Sequence, residues 1–285
     1  MRLMNDERLD FTLLQKALER PELYQESSHP FWDDEYIASQ MLKHHLDPSS
    51  DAASRRPDAI RKEAAFIVDR TGLGCGMTLL DLGCGPGLYV REFARSGAHA
   101  AGLDISETAV QYARKHVQIY CGNTDFQVGN YLEADILTGY DVMSLIYFDF
   151  CALSPLNQRR LLGQVCNALD REGWFVLDIL TDRTRTEVGE KVTVSREGLW
   201  SPKPYLEIYQ AFRYQSPTAE GFQYTIVGEQ GDLRSMRIFH RLFSAEEIQK
   251  LLEECGFRIM ERYADLAGRP WTEGSDTMAL FCQKA

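Results

Sequence analysis

A short glycine-rich stretch constrains the fold of this chain more than any other feature. Residues 79–87 read Leu-Leu-Asp-Leu-Gly-Cys-Gly-Pro-Gly, and they lie where an apolar segment gives way to a helical pattern. Glycine adopts backbone conformations that a Cβ would forbid, and it lets a ligand approach the main chain closely. A strand that turns into a helix through such a loop is typical of α/β sheets that bind nucleotide-like ligands. The stretch therefore predicts an α/β fold with a ligand site at this loop.

The sequence around the loop alternates between short apolar segments and helical patterns. A parallel, doubly wound sheet is the usual product of such alternation. Ser154-Pro155 and Ser244-Ala245-Glu246-Glu247 have the form of helix starts, as an N-cap with proline and as a capping box. The predicted strands of this sheet are residues 78–82, 98–104, 125–128, 141–146, 174–179, 257–263 and 277–283.

Two parts of the chain depart from this alternation. Apolar spacing and helix-start residues predict helices over much of residues 1–72. Residues 183–243 instead contain four strand-like segments separated by turn residues, which predicts an antiparallel insertion. We therefore divide the chain into a helical N-terminal cap (1–72), a core (73–182), an antiparallel insertion (183–243) and the end of the core (244–285).

Composition excludes several classes of protein. The formal net charge is −11 and no segment concentrates basic residues, whereas nucleic-acid binding depends on Lys and Arg. No apolar run approaches the roughly 18 residues of a membrane helix, and the start of the chain has no apolar secretory signal. The seven cysteines are scattered, without a C-x-x-C pair, which is typical of a reducing compartment. We expect a cytoplasmic protein with a small-molecule partner, no nucleic acid, no membrane and no metal.

The spacing of the loop glycines and the charge before them indicate which ligand it binds. A dinucleotide loop has the spacing G-x-G-x-x-G, with a helix start facing a pyrophosphate. Here the spacing is G-x-G-x-G, and Asp81 precedes the first glycine by two positions. A carboxylate there repels a pyrophosphate but attracts a cation. S-adenosylmethionine carries an ammonium and a sulfonium and no phosphate, so we predict it as the cofactor and set a nicotinamide dehydrogenase aside.

Two polar residues at the ends of later strands extend the predicted cofactor site. Asp104 ends the second strand nineteen residues after Gly85, close to the spacing expected for an acid that accepts hydrogen bonds from ribose hydroxyls. Asn130 follows the third strand, where its carboxamide could pair with an adenine edge, or form an ordinary Asx-turn instead. Tyr131 and Leu132 could pack on the adenine ring.

At these residues the chain resembles the class I S-adenosylmethionine-dependent methyltransferases. The resemblance covers about residues 73–180 and 244–285, and it implies a seven-stranded sheet whose last strand runs antiparallel. The leading helices and the insertion also resemble those of members that methylate small molecules. The cofactor contacts we predict on this basis are Asp81, Leu82, Gly83, Cys84, Gly85, Gly87, Asp104, Ile105, Asn130, Tyr131, Leu132 and Tyr147.

The residues after the fourth strand are the candidates for chemistry, because the resemblance places this point beside the sulfonium. The N-P-P-Y and Pro-Cys motifs of enzymes that methylate nucleic-acid bases are absent here. Asp149 could orient or deprotonate an acceptor, or it could be a bend residue that bonds to backbone. We predict Asp149 and Tyr147 as catalytic residues, with His240 of the insertion as a possible base.

Aromatic residues outside the core are the candidates for acceptor binding. A proline-flanked loop over residues 200–205 holds two of them, and the leading segment holds others. The same rings could equally form the insertion's own core. We predict that the leading helices and the insertion roof the acceptor pocket, with Phe31, Trp32, Tyr36, Asp149, Phe150, Trp200 and Tyr205 as substrate-binding residues.

The function that the sequence predicts is methyl transfer to a small molecule by direct in-line displacement, which releases S-adenosylhomocysteine. Two alternatives remain open. One keeps the cofactor but changes the chemistry, as in a cyclase or a decarboxylase-like enzyme. The other is a protein that binds the cofactor without turnover.

Overall fold

The computed structural model describes residues 4–5, 8–29, 34–118 and 123–285. The chain divides into two compact units, each made of two separate segments. We call Leu42–Thr184 with Leu242–Ala285 the parallel-sheet unit, and Met1–Met41 with Arg185–Arg241 the antiparallel-sheet unit. No helix of the described residues is long and apolar enough to cross a bilayer.

The order of helices and strands along the described chain follows the predicted alternation closely. The elements are β1 (Met4–Asn5), β2 (Arg8–Leu9), α1 (Phe11–Leu18), α2 (Glu35–Leu46), α3 (Pro57–Thr71), β3 (Thr78–Leu82), α4 (Leu88–Ala94), β4 (His99–Asp104), α5 (Glu107–Ala113), which continues as one π-helical turn (Arg114–Gln118), β5 (Thr124–Val128), β6 (Tyr140–Leu145), α6 (Asp149–Ala152), α7 (Pro155–Ala168), β7 (Leu169–Leu180), β8 (Gly189–Ser195), β9 (Tyr205–Gln215), β10 (Thr218–Gly228), β11 (Leu233–Arg241), α8 (Ala245–Glu254), β12 (Phe257–Tyr263) and β13 (Thr277–Lys284).

The parallel-sheet unit is built around a seven-stranded sheet with the strand order β12-β13-β7-β6-β3-β4-β5. The pairs β3–β4, β3–β6, β4–β5 and β6–β7 are parallel, and β13 runs antiparallel to both of its neighbours. The strand order reverses at β3, which pairs with β4 on one side and β6 on the other. This confirms the predicted mostly parallel, doubly wound sheet with an antiparallel last strand.

Local sequence signals account for where the helices begin and end. Ser154 accepts the amide of Asn157 ahead of Pro155 at the start of α7. Ser244 and Glu247 form the predicted capping box of α8. Helix α3 ends at Gly72, whose φ of 70° is left-handed. These contacts satisfy backbone groups that a helix end leaves unpaired.

Apolar side chains cover both faces of the central sheet. One hydrophobic cluster contains Leu82, Met143 and Phe175, and the other contains Leu79, Val142 and Val176. Residues an odd number of positions apart on a strand point to opposite faces of the sheet. All six of these side chains are fully buried. Because the middle strands are buried on both faces, we expect a ligand site at the ends of the strands and in the loops that follow them.

The antiparallel-sheet unit has a four-stranded sheet with the order β11-β10-β9-β8. Part of the leading segment packs on one face of it, where Gln223 Nε2 donates to the carbonyl of Ala17 at 3.0 Å. Ser28 bonds to Ser235 at the β11 edge, with its amide 2.8 Å from the Ser235 carbonyl oxygen. The predicted antiparallel insertion is therefore present, but it shares its unit with the leading segment.

The leading segment differs from a single helical cap in two respects. Its first described residues, Met4–Asn5 and Arg8–Leu9, pair as a two-stranded antiparallel ladder instead of a helix. The remainder is divided, because residues up to Met41 belong to the antiparallel-sheet unit and α3 belongs to the parallel-sheet unit. Phe31 and Trp32, predicted as substrate-binding residues, lie outside the described residues.

Candidate functional site

The candidate site lies at the carboxyl ends of β3, β4 and β6, where the strand order reverses. Loops that leave neighbouring strands on opposite sides open a crevice at this point, and ligands of doubly wound sheets bind there. Every cofactor contact predicted from the sequence lies at the carboxyl end of one of these strands or of β5, or in the loop that follows it. These predicted cofactor contacts all belong to the parallel-sheet unit.

The glycine loop after β3 uses the conformational freedom that its sequence predicts. Gly83, Gly85 and Gly87 have φ values of 68°, 52° and 77°, all left-handed. The amide of Gly83 donates to the carbonyl of Leu103 at 2.8 Å, which ties the loop to the end of β4. A side chain at any of the three positions would be strained, so the loop presents bare backbone.

Asp104 fixes this loop from the end of β4. Its Oδ2 accepts the amide of Gly85 at 2.7 Å, and its Oδ1 accepts the amide of Ser106 at 2.7 Å. The side chain is half-buried, and burial raises its pKa. Each carboxylate oxygen keeps a second lone pair for a ligand, so the predicted ribose contact remains a prediction on a side chain that also has a structural role.

The carboxylates of Asp81, Asp104 and Asp149 interact electrostatically at the carboxyl ends of these strands. Burial, with a smaller contribution from the charges of Asp104 and Asp149, raises the pKa of Asp81 to about 7, against the effect of a hydrogen bond from Ser144 at 2.6 Å. Burial likewise raises the pKa of Asp149 to about 6, with Asp104 among the charges that add to it. Like charges held close together disfavour ionisation. The site therefore has excess negative potential that a cation would neutralise.

Asp149 lies directly over the glycine loop. A Cβ built on Gly83 would come within 2.9 Å of Asp149 Oδ2, and the hydroxyl of Tyr131 donates to the same oxygen at 2.9 Å. The carboxylate thus lies at the site and bonds to a side chain there, and its catalytic role stays a prediction. The hydroxyl of Tyr131 thus holds Asp149, and the predicted packing of its ring on adenine stays a prediction.

His45 is a site residue that the sequence analysis did not include. Its ring lies against the loop, with Cε1 3.5 Å from a Cβ built on Gly85, and its Nδ1 is 2.7 Å from Ser54 Oγ. Burial lowers its pKa to about 4, and the neighbouring His44 adds to the effect. The ring is thus neutral at pH 7. Its place at the end of α2 carried no sequence signal, since the contact with Gly85 is between residues forty positions apart.

The turn after β6 has unusual backbone geometry. Tyr147 and Phe148 have φ values of 75° and 63°, although both carry a Cβ. Their amides donate to Asp178 Oδ1 at 2.8 and 3.2 Å. The hydroxyl of Tyr147 donates to the carbonyl of Asp51, so the group that would act in catalysis is engaged within the fold. The predicted catalytic role of Tyr147 stays a prediction.

Arg55 is buried beside this turn. Its guanidinium pairs with Asp178, and its Nε lies 3.1 Å from Glu63 Oε1. The same group stacks over the rings of Tyr147 and Phe148, 5.2 and 5.1 Å from the centroids. Arg56, the next residue, is exposed and pairs with Asp51. The two arginines are adjacent in sequence but have different surroundings.

The remaining predicted cofactor contacts differ in their exposure and in their hydrogen bonds. Asn130 Oδ1 accepts the amide of Leu132 at 3.0 Å, which is the Asx-turn weighed as the alternative to an adenine contact. Ile105 is 43% exposed and available to a ligand. Leu82 and Cys84 have buried side chains, so only their backbone is positioned to contact one.

Several predicted substrate residues are core residues. Phe150 is fully buried and stacks on Phe243, with centroids 5.9 Å apart. Trp200 and Tyr205 are 4% and 5% exposed, in a cluster with Ile37. Close packing explains the difference, because a large ring in a small sheet unit is needed to fill its interior. All three rings therefore pack within the fold, and their predicted contact with substrate stays a prediction.

Tyr36 and His240 also belong to the antiparallel-sheet unit. The hydroxyl of Tyr36 donates to the carbonyl of Gly198 at 2.8 Å. The ring of His240 meets Phe222 edge-on, at 5.7 Å between centroids, and burial lowers its pKa. Their predicted roles with substrate stay predictions. Among the described residues, no cluster of His, Cys, Asp and Glu could hold a metal ion.

Comparison with known sequences gives a family match for the core. Residues 73–203 match the family model described as a methyltransferase domain. A ubiquinone biosynthesis O-methyltransferase of Aromatoleum aromaticum is 42% identical over 50 residues, 18% of this chain and 21% of that protein. A putative methyltransferase of Geobacillus sp. is 21% identical over 222 residues, 72% of this chain and 84% of that protein. The matched part thus spans about a fifth of the first relative's length.

Comparison with solved structures extends the likeness to most of the chain. The CcbJ methyltransferase of Streptomyces caelestis gives a TM-score of 0.68 at 19% identity, over 88% of this chain and 98% of that chain. The sugar N-methyltransferase KedS8 of Streptoalloteichus sp. gives 0.58 at 16% identity, over 93% and 97%. At these identities the likeness establishes the shared fold alone.

Proposed function

We propose that this chain, a class I S-adenosylmethionine-dependent methyltransferase by its matched domain and fold, transfers a methyl group to a small-molecule acceptor. The observation that carries the proposal is the convergence of a left-handed glycine loop and three carboxylates at the strand-order reversal. Bare backbone admits a ligand closely, and the carboxylates select a cationic one.

The residues of the site fit S-adenosylmethionine. Burial, with the charges of neighbouring carboxylates, raises the pKa of Asp81 and Asp149, and a bound ammonium or sulfonium would stabilise their ionised forms. Asp104, Asn130 and Ile105 are the candidates for the ribose and adenine, because each lies at the end of a neighbouring strand. His45 would contribute a neutral surface against Gly85. When bound, the cofactor supplies an activated methyl group.

The protein's main contribution would be positioning. Holding a nucleophile in line with a reactive centre is worth roughly 7–11 kcal/mol, whereas a general base contributes about 10²–10⁴ in rate. Asp149 is the candidate for both, since its carboxylate lies over Gly83 and has a pKa of about 6. At neutral pH it is mostly ionised, so it can accept a proton or a hydrogen bond from an amine or hydroxyl.

The acceptor we propose is a small amine or hydroxyl compound. The net charge of −11 opposes binding of a polyanion. Proteins of the same fold include the sugar N-methyltransferase KedS8 and an amino pentose methyltransferase, CalS10. The ubiquinone biosynthesis O-methyltransferases, related over a short segment, act on oxygen by name. Amino sugars and phenols are therefore the first compounds to test.

The test combines binding with turnover. Calorimetric titration with S-adenosylmethionine and S-adenosylhomocysteine would measure cofactor affinity. Incubation with S-adenosylmethionine and a panel of amino sugars, phenols and a metabolite extract would then be followed by mass spectrometry. Methyl transfer predicts S-adenosylhomocysteine together with an acceptor heavier by one CH₂ unit. Asp149→Asn should lower turnover by about 10²-fold if the carboxylate acts as a base.

Each alternative gives a different result. Cofactor consumption with a product of another mass would indicate non-methylating chemistry, such as cyclisation or decarboxylation. Binding without consumption of the cofactor, over the whole panel and extract, would favour a non-catalytic binding protein. Absence of cofactor binding would contradict the proposed function as a whole.

A further inference from the structure

We propose that Asp178 is a positioning residue, which holds the turn at Tyr147 and Phe148 and so places Asp149 over the glycine loop. This inference rests on the proposed function of that loop. Asp178 lies near the end of β7 and is 1% exposed. Its Oδ1 accepts two successive amides, from residues 147 and 148, which immediately precede Asp149.

The backbone of the turn explains why other groups must hold it in place. A left-handed φ is uncommon for a residue with a Cβ, and two in succession persist only where the surroundings hold them. Phe148 is also the residue that precedes α6, so its conformation sets the direction in which that helix begins. Without the bonds to Asp178, the turn would relax toward ordinary dihedral angles. Asp149, the first residue of α6, would then leave Gly83.

Groups from several elements hold Asp178 in place. Asp178 Oδ2 pairs with Arg55, whose guanidinium covers both rings of the turn. Glu63 of α3 holds Arg55 from the other side, and the hydroxyl of Tyr89 in α4 donates to Glu63. Since α4 begins at the glycine loop, the network joins the turn after β6 to the loop after β3.

These contacts indicate that the buried charges maintain the geometry of the site. Arg55 and Asp178 are 13% and 2% exposed in their side chains, and both are hydrogen-bonded. A buried ion pair is weak in its own contribution to stability, because desolvation opposes it. Here the carboxylate of the pair also accepts two backbone amides of the strained turn, so the pair holds that turn in one arrangement.

The test is a double-mutant cycle measured by calorimetry with S-adenosylmethionine as the probe. Asp178→Ala and Asp149→Asn should each weaken binding by about tenfold, as loss of a charged hydrogen-bonding group does. If Asp178 acts through Asp149, the double variant should also lose about tenfold, because the second change has nothing left to remove. Asp170→Ala, an exposed carboxylate on the same strand, is the matched control and should bind like wild type.

The outcomes separate this inference from the proposed function. A wild-type protein that does not bind the cofactor contradicts both. Wild-type binding with additive losses, about a hundredfold in the double variant, overturns the positioning role alone, since the two residues would then act independently. Calorimetric stoichiometry reports the folded fraction, so partial unfolding is distinguished from weakened affinity.

A second variant covers the case in which Asp178→Ala does not fold. Asp178→Asn keeps an oxygen for both amides while removing the charge that faces Arg55. The proposal expects affinity within about threefold of wild type for this variant. A loss as large as that of Asp149→Asn would overturn it, because the charge and not the amide contacts would then be maintaining the site.

Discussion

Two buried polar clusters, one in each unit, differ in how their groups are satisfied. In the antiparallel-sheet unit, Gln223 donates to Ala17 and Gln210 and accepts from Arg237 Nε at 2.7 Å. In the parallel-sheet unit, burial and the charges of other carboxylates raise the pKa values of Asp81 and Asp149 to about 7 and 6. The polar groups of the first cluster are bonded within the fold, whereas a cation would stabilise the carboxylates of the second.

This difference indicates where function resides. Polar groups that are fully bonded stabilise one structure, whereas groups whose pKa is strongly shifted by burial and by like charges are typical of functional sites. Variants of the glycine loop and the carboxylates beside it should therefore change ligand binding at little cost in stability. Variants of the antiparallel-sheet unit should do the reverse. The following experiments test that contrast.

The largest expected effect is from Gly85→Val. The residue has a φ of 52° and faces His45, so a β-branched side chain is strained, presses on the His45 ring and distorts the loop that we propose holds the cofactor. Calorimetry should detect no cofactor binding, while circular dichroism stays near wild type. Gly163→Val, on an exposed helix position with open space around it, is the control and should bind normally. Retained binding by Gly85→Val would mean that this loop does not hold the cofactor.

Trp200→Ala tests the other unit. The ring packs against Tyr224 at 5.1 Å and donates from Nε1 to Glu207 at 2.8 Å, so truncation leaves a cavity and an unpaired carboxylate. We expect a loss of about 3–5 kcal/mol in the unfolding free energy of this unit, measured by urea titration. Cofactor affinity should stay within about threefold of wild type.

Val194→Ala is the matched control for Trp200→Ala, since its side chain is 78% exposed on the same sheet. Its stability should be close to wild type. If Trp200→Ala keeps wild-type stability but strongly raises the KM for the acceptor, the result would support the pocket-lining role that the sequence predicts. The predicted roof of leading helices and insertion would then gain its first support.

Asp104→Ala should weaken S-adenosylmethionine binding by roughly 1.5–3 kcal/mol, the value of a hydrogen bond to a charged group. The loss has two sources, because the carboxylate also holds the amides of Gly85 and Ser106. Comparison with Asp104→Asn separates them, since the amide keeps an acceptor for one of these bonds. Calorimetric affinity equal to wild type in both variants would remove Asp104 from the cofactor site.

The smallest effect concerns pH. A cationic ligand favours ionised carboxylates, so the affinity for S-adenosylmethionine should rise several-fold between pH 5 and 8 as Asp149 and Asp81 lose protons. Stability of the ligand-free protein should follow the opposite trend. Folded pKa values of about 6 and 7 lie above the ordinary 3.8, so this contribution is present below pH 4 and lost as pH rises through 6–7.

Asp149→Asn should flatten the lower part of the pH profile, because one of the two titrating groups is gone. Titrations at four or five pH values, with thermal unfolding of the ligand-free protein at the same values, would measure both trends. An affinity that falls with rising pH would contradict a cationic ligand at these carboxylates.

Local patterns explain which parts of the fold could be predicted from the sequence. The sheet, the glycine loop and the capped helices depend on residues close in the chain, and they were predicted within a few positions. Asp149 was identified by its place after a strand. His45 and Asp178 could not be, because their roles depend on contacts with Gly85 and Tyr147, forty and thirty-one positions away. The core burial of Trp200 likewise depends on Ile37, which is distant in sequence.

The division of the antiparallel-sheet unit between two segments sets an order of events during synthesis. Helix α1 is synthesised well before the sheet of its unit, which is complete only when Arg241 has followed Met41 by about 200 residues. At 5–20 residues per second that interval is about 10–40 s. Helix α1 and the bonding partners of Gln223 and Ser235 must wait through it, while the strands of the glycine-loop sheet are being made. A nascent chain stalled before β9 would therefore carry an unpaired leading segment, which is a natural target for chaperones or proteases.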